Sequence, residues 1–84
     1  MNSAKDKEIV KEIIANAINI NKNKITDKIN LFKEFGLDSL KIIEIVSVLY
    51  EKLGVQIQEE RIKKLISLEL ILKEINRSRE KFKS

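Results

Sequence analysis

The chain has 84 residues, 43% of them hydrophobic, and is expected to form one domain with a small core (residues 1–84). It holds no cysteine and no histidine, which excludes a disulfide framework, a thiolate nucleophile and a zinc knuckle, and removes the commonest general base and transition-metal ligand. The net charge of +4 hides a division: residues 25–60 carry four lysines against seven acids, a net of −3, so the basic character lies at the ends. The absence of proline and the presence of only two glycines favour helices over a strand-and-turn fold.

The first residues are charged and lack an apolar h-region, so no signal peptide is expected, and the protein is expected in the cytoplasm. Ile9, Val10, Ile13, Ile14 and Ala17 then lie on one face of an amphipathic helix over about residues 3–18, with Ser3 as its cap and Asp6 in its first turn. The Asn-rich stretch 19–24 ends that helix, because Asn side chains compete for backbone groups and favour turns. From residue 25 to 37 the apolar residues Ile25, Ile29, Leu31, Phe32, Phe35 and Leu37 lack a clean period, and the segment reads as a long ordered loop pinned to the core. Gly36 supplies a permissive backbone position near its end.

A second helix is predicted from about Ser39 to Leu53, stopped by Gly54, and a short turn of helix around residues 59–64. Ser67 has the place of an N-cap for a last helix whose buried stripe is Leu68, Ile71, Leu72 and Ile75. The core is expected to end near residue 76, with 77–84 a frayed basic tail, and Glu74 is expected to be nearly silent to substitution.

At 100° per residue from Ser39, Ile42, Ile45, Val46, Leu49 and Leu53 gather on one side of the second helix as its core face. Leu40, Ile43, Ser47 and Tyr50 fall on the outward side with Glu44 and Glu51 beside them. An apolar strip on an outward face is what a partner-docking surface requires. Ser39 taken alone reads as a helix cap, and Asp38 as a cap or first-turn acid.

Phe35-Gly36-Leu37-Asp38-Ser39-Leu40, followed by Lys41-Ile42-Ile43-Glu44-Ile45, resembles the phosphopantetheine attachment motif of acyl carrier proteins. The segment Gly54-Val55-Gln56-Ile57, the pair Glu59-Glu60 and the step Ile66-Ser67-Leu68 extend the likeness to about residues 5–76. The resemblance implies an all-α four-helix bundle of the acyl-carrier type, with three longer helices, one short helix and a long loop between the first two. It implies a non-catalytic carrier whose Ser39 takes a covalent 4'-phosphopantetheine from coenzyme A, with Gly36, Asp38 and Leu40 around it, Asp38 orienting the transferase's metal ion. No catalytic residue and no metal ligand are expected in this chain. The reactive thiol belongs to the cofactor, which accounts for the missing cysteine.

The implied partners are a phosphopantetheinyl transferase and the loading, condensing or other enzymes that process acyl groups. These would dock transiently on Leu40, Ile43, Glu44, Ser47 and Glu51 of a monomer, with neither nucleic acid nor membrane involved. Carriers of bacterial fatty acid synthesis are typically strongly acidic along the second helix, whereas this chain has a pI near 9.4 and Lys41, Tyr50 and Lys52 there. Fatty acid, polyketide and other specialised acyl pathways all stay open, as does a stand-alone peptidyl carrier of nonribosomal peptide assembly. Asp38 before the serine leans towards acyl cargo. Outside the family, a small basic nucleic-acid-binding protein would use the charged ends, but its lysines are spread around every helix and no aromatic platform exists. An unmodified helical module docking through Ile43 and Tyr50 is the remaining alternative.

Overall fold

In the computed structural model, residues 4–81 are described, and they are helical with no strand among them. The order is α1 (Ala4–Ile18), a 3-10 turn (Lys22–Lys24), α2 (Leu31–Phe35), α3 (Ser39–Leu53), α4 (Glu59–Ile62) and α5 (Leu68–Lys81). The all-α expectation holds. The long loop, however, contains the 3-10 turn and the five-residue α2, so the second predicted helix is α3 and the last is α5. None of these helices is long and apolar enough to cross a membrane.

α1 buries Val10, Ile13, Ile14 and Ala15, with Ala17 only half-buried, so its core face is turned slightly from the predicted stripe. Asn19 ends it at φ +56°, and the Ile20 N–H donates to the Ala15 carbonyl at 3.0 Å. That six-to-one bond around a left-handed residue is a Schellman stop, which Asn tolerates better than most side chains. The predicted cap Ser3 lies outside the described residues. Lys22 reaches back to Glu8 and Glu12 of α1 at 3.3 and 3.5 Å, and these carboxylates raise its pKa, the Glu8 hydrogen bond most.

α2 is framed by two local signals. The Asn30 carboxamide accepts from the Phe32 and Lys33 N–H groups at 3.0 and 3.1 Å. At the other end Gly36 takes φ +65°, a conformation L side chains rarely adopt, and its N–H donates to the Phe32 carbonyl. Backbone bonds tie the loop to the start of α5: the Leu31 N–H donates to the Ile66 carbonyl at 2.8 Å, and the Glu69 N–H to the Asp27 carbonyl at 2.9 Å. The Asp27 side chain pairs with Lys7 of α1 at 2.7 Å, and that hydrogen bond holds its carboxyl below the usual range. Ile25, Leu31 and Leu37 plug into the core, as the loop reading required.

α1 packs on α3 and α5 around Ile14, Ile45, Leu49, Leu68, Ile71 and Ile75, none of which is exposed. Each such side chain contributes about 1.5–3 kcal/mol through removal from water. Ser67 caps α5 as predicted, its Oγ accepting from the Leu70 N–H at 3.3 Å. The helix does not fray after Asn76 but continues to Lys81, because its last turns are held by side chains absent from an apolar count. Ser78 is buried and donates to the Gln56 carbonyl at 2.8 Å, and Arg79 grips the Asp6 carboxylate of α1 with both terminal nitrogens. Residues 82–84 lie outside the described residues. Glu74 is also not the inert surface position expected: it is 9% exposed and bound by Arg61 at 2.8 Å and Arg77 at 3.5 Å.

Candidate functional site

The junction between α2 and α3 brings the predicted attachment residues together in one turn. The left-handed Gly36 stops α2, and Leu37 drops into the core at 4% exposure. Ile42, also buried, anchors the first turn of α3. Between these two anchors Asp38, Ser39 and Leu40 are held outward, all three exposed. Rigid neighbours thus present a short exposed segment.

Asp38, rather than Ser39, is the N-cap of α3: its backbone is extended and its Oδ1 accepts from the Lys41 N–H at 2.9 Å. The first intrahelical bond runs from the Ile42 N–H to the Asp38 carbonyl at 3.0 Å. Ser39 therefore stands at the first helical position. Its hydroxyl has no hydrogen-bond partner among the described residues, and neither do the backbone N–H groups of Ser39 and Leu40. The capping role that would have explained a serine here belongs to its neighbour. An accessible hydroxyl beside two unpaired N–H donors, at the positive end of a fifteen-residue helix, suits a phosphodiester.

The outward face of α3 carries Leu40 at 78% exposure, Ile43 at 51% and Tyr50 at 59%, with Glu44, Ser47 and Glu51 exposed beside them. Leu40, Ile43, Glu44, Ser47 and Glu51 are the predicted docking residues, and with Tyr50 they share one face with Ser39. Their acids are not equivalent, because Lys41 pairs with Glu44 at 3.3 Å while Glu51 has no such partner among the described residues. Ser47 and Glu51 also line a shallow cleft of about 490 Å³ with Val46, Tyr50, Val55, Gln56 and Ile57.

A larger cleft of about 700 Å³ opens directly at Ser39, between α3 and α4. Ser39, Ile42 and Ile43 form one wall, Glu59, Glu60, Ile62 and Lys63 the other, and Phe32 and Ile66 complete it. Sequence reasoning did not assemble this group. Its parts come from four segments, and the only hint was the Glu59-Glu60 pair at the start of α4. No cluster of three or more metal-ligating side chains occurs among the described residues.

Residues 8–75 match the family model described as a phosphopantetheine attachment site. The chain is 32% identical over 68 residues to an acyl carrier protein of Helicobacter pylori (strain ATCC 700392 / 26695), covering 81% of this chain and 87% of that one. The acyl carrier protein of Helicobacter pylori (strain G27) is 31% identical over the same shares. That of Thermosynechococcus vestitus is 30% identical over 76 residues, covering 90% of this chain and 94% of its own.

Proposed function

We propose, from the premise that this chain belongs to the phosphopantetheine-attachment family and is an acyl carrier, that its 4'-phosphopantetheine arm is attached to the hydroxyl oxygen of Ser39. The observation that carries the assignment is the division of labour at the start of α3. Asp38 caps the helix and leaves the exposed Ser39 hydroxyl uncommitted. When bound, the cofactor supplies a terminal thiol on a long flexible arm, to which acyl groups are joined as thioesters.

The chain's own residues do the rest. Gly36 and the buried Leu37 set the angle at which the segment leaves α2, and the unpaired N–H groups of Ser39 and Leu40 would be available to hold the phosphodiester. The Asp38 Oδ1 holds the cap, and its second carboxylate oxygen would be the one offered to the transferase's metal. Ile42, Ile43, Ile62 and Phe32 give the cleft beside Ser39 an apolar lining suited to shelter part of an attached acyl group from water.

The docking surface in this reading is Leu40, Ile43, Glu44, Ser47 and Glu51. A few rim charges around a small apolar centre steer encounter while keeping release fast, as a carrier that visits several enzymes needs. The partners are a phosphopantetheinyl transferase and acyl-processing enzymes of fatty acid, polyketide or other specialised assembly, met by a cytoplasmic monomer. Arg61, Arg77 and Arg79 are engaged by carboxylates of the same chain, which weighs against a free basic stripe for nucleic acid. The test is intact mass after incubation with coenzyme A and a broad-specificity phosphopantetheinyl transferase. The chain gains one arm and Ser39→Ala gains none; an arm on Ser39→Ala would overturn the assignment.

A further inference from the structure

α4 forms the outer wall of the cleft beside Ser39, and none of its four residues is fully buried. Its N-cap, Gln58, makes no side-chain capping bond. The backbone bonds of the segment are local, from the Arg61 N–H to Gln58, the Lys64 N–H to Arg61 and the Leu65 N–H to Ile62. α4 is thus slung between two buried anchors, Ile57 and Leu65. Among the described residues a single hydrogen bond crosses from it to another helix: Arg61 Nε donates to Glu74 Oε2 of α5 at 2.8 Å.

The geometry of this contact is specific. Glu59, Glu60, Ile62 and Lys63 line the cleft, whereas Arg61 reaches away from it to α5. Glu74 is 9% exposed, and the same Oε2 lies 3.5 Å from Arg77 Nη1. A carboxylate this shielded from water attracts its guanidinium partner strongly and is costly to leave unpaired, and a planar guanidinium fixes direction as well as distance. One face of α4 therefore meets the cleft while the other is clasped to the bundle.

We propose that Arg61 and Glu74 are positioning residues for the cargo: their ion pair fixes α4 as the cleft's outer wall and so limits the length of acyl group that the cleft seats. The proposal rests on the reading that Ser39 carries the arm. Loss of Arg61 leaves Glu74 with Arg77, so Arg61→Met keeps an apolar stem and a paired carboxylate, and the bundle survives. Arg61→Lys retains the charge without the planar fork and restores part of the clasp.

Two measurements on the full chain test it. Amide hydrogen exchange on the unloaded protein reads the clasp alone. In Arg61→Met the Lys64 and Leu65 amides are expected to exchange at least about tenfold faster, equivalent to about 1.4 kcal/mol of local stability. Ile45 and Leu49 in α3 should change less than about twofold, and Arg61→Lys should fall between. Unchanged Lys64 and Leu65, or equal acceleration throughout the chain, would overturn the clasp. The second measurement loads Ser39 from butyryl-, octanoyl- and dodecanoyl-coenzyme A and follows the rise in melting temperature that each acyl group confers. Arg61→Met is expected to shift the largest rise to a longer chain; an unchanged chain-length profile would overturn the role in cargo length. Failure of the chain to take an arm at Ser39 would overturn the attachment reading instead, and the exchange result on unloaded protein would still decide the clasp.

Discussion

In the proposed reading Asp38 has two roles that substitution can separate, since its Oδ1 holds the Lys41 N–H at 2.9 Å while its charge stands beside Ser39. Asp38→Ala removes both. Loss of a side-chain cap costs about 1 kcal/mol, within a range of about 0.5–2. Loss of a negative charge at the positive end of α3 adds about 0.3–1 kcal/mol at an exposed site, less at high salt. For a domain of this size each kcal/mol moves the melting temperature by about 4–8 °C, so the central figures, about 1.3–2 kcal/mol together, give an expected fall of about 5–16 °C. Asp38→Asn keeps an oxygen that can cap and loses only the charge, and should fall by no more than about 8 °C. Thermal melts followed by circular dichroism measure this side. Intact mass against time, with coenzyme A and a phosphopantetheinyl transferase, measures the other. Both variants should accept the arm at least about tenfold more slowly than the native chain, a loss of about 1.4 kcal/mol in transition-state stabilisation. If Asp38→Asn is modified at the native rate, the carboxylate takes no part in the transfer. If Asp38→Ala melts like the native chain, the cap assignment is wrong.

Truncation after Asn76 removes the Ser78 bond to Gln56 and the Arg79 grip on Asp6, together about 1–2 kcal/mol, and with them the Arg77 contact to Glu74; the melting temperature should drop by at least about 4 °C, and a drop under about 1 °C would show these contacts to be idle. On the proposed docking face, Glu51→Lys should slow acyl transfer by cognate enzymes more than Glu44→Lys, because Lys41 already engages Glu44. Each exposed pair lost is worth about 0.2–1 kcal/mol, and the exposed Glu80→Lys on α5 is the control; equal rates for all three at low and moderate salt would exclude this face. Ile43→Ala should weaken docking at nearly native helicity, since its side chain is half exposed. The Asp27 carboxyl, lowered chiefly by its hydrogen bond with Lys7, stabilises the folded state above its unfolded pKa, and that contribution is lost as pH falls through the depressed folded value. A carbon-detected carboxyl titration should find Asp27 below the usual range and Lys7→Met should return it there; no movement in Lys7→Met would refute the pairing.

Much of the fold and of the candidate site at Ser39 was legible in the sequence, because the signals are local. The spacing of Val10, Ile13 and Ile14, the Gly54 stop of α3 and the Ser67 cap depend on a few neighbouring residues each, and backbone geometry converts them directly into helix faces and ends. The outward position of Leu40, Ile43 and Tyr50 follows from the same 100° arithmetic. α2 was legible in principle, since Asn30 and Gly36 bracket it as cap and stop, but its five residues are too few to show a period.

Pairings between distant residues were not legible. Arg79 meets Asp6 across 73 positions and Ser78 meets the Gln56 carbonyl across 22, and no periodicity marks either bond. The basic run from residue 77 therefore looked like a solvated tail, although its side chains close the end of the bundle. Glu74 looked like an ordinary surface acid for the same reason, until packing carried Arg61 and Arg77 to one of its oxygens. The cleft at Ser39 is the clearest case, with walls drawn from α2, α3, α4 and the turn before α5. Helix faces and caps are set by the chain within a turn or two of itself; ion pairs and clefts exist only after burial has chosen which helices meet.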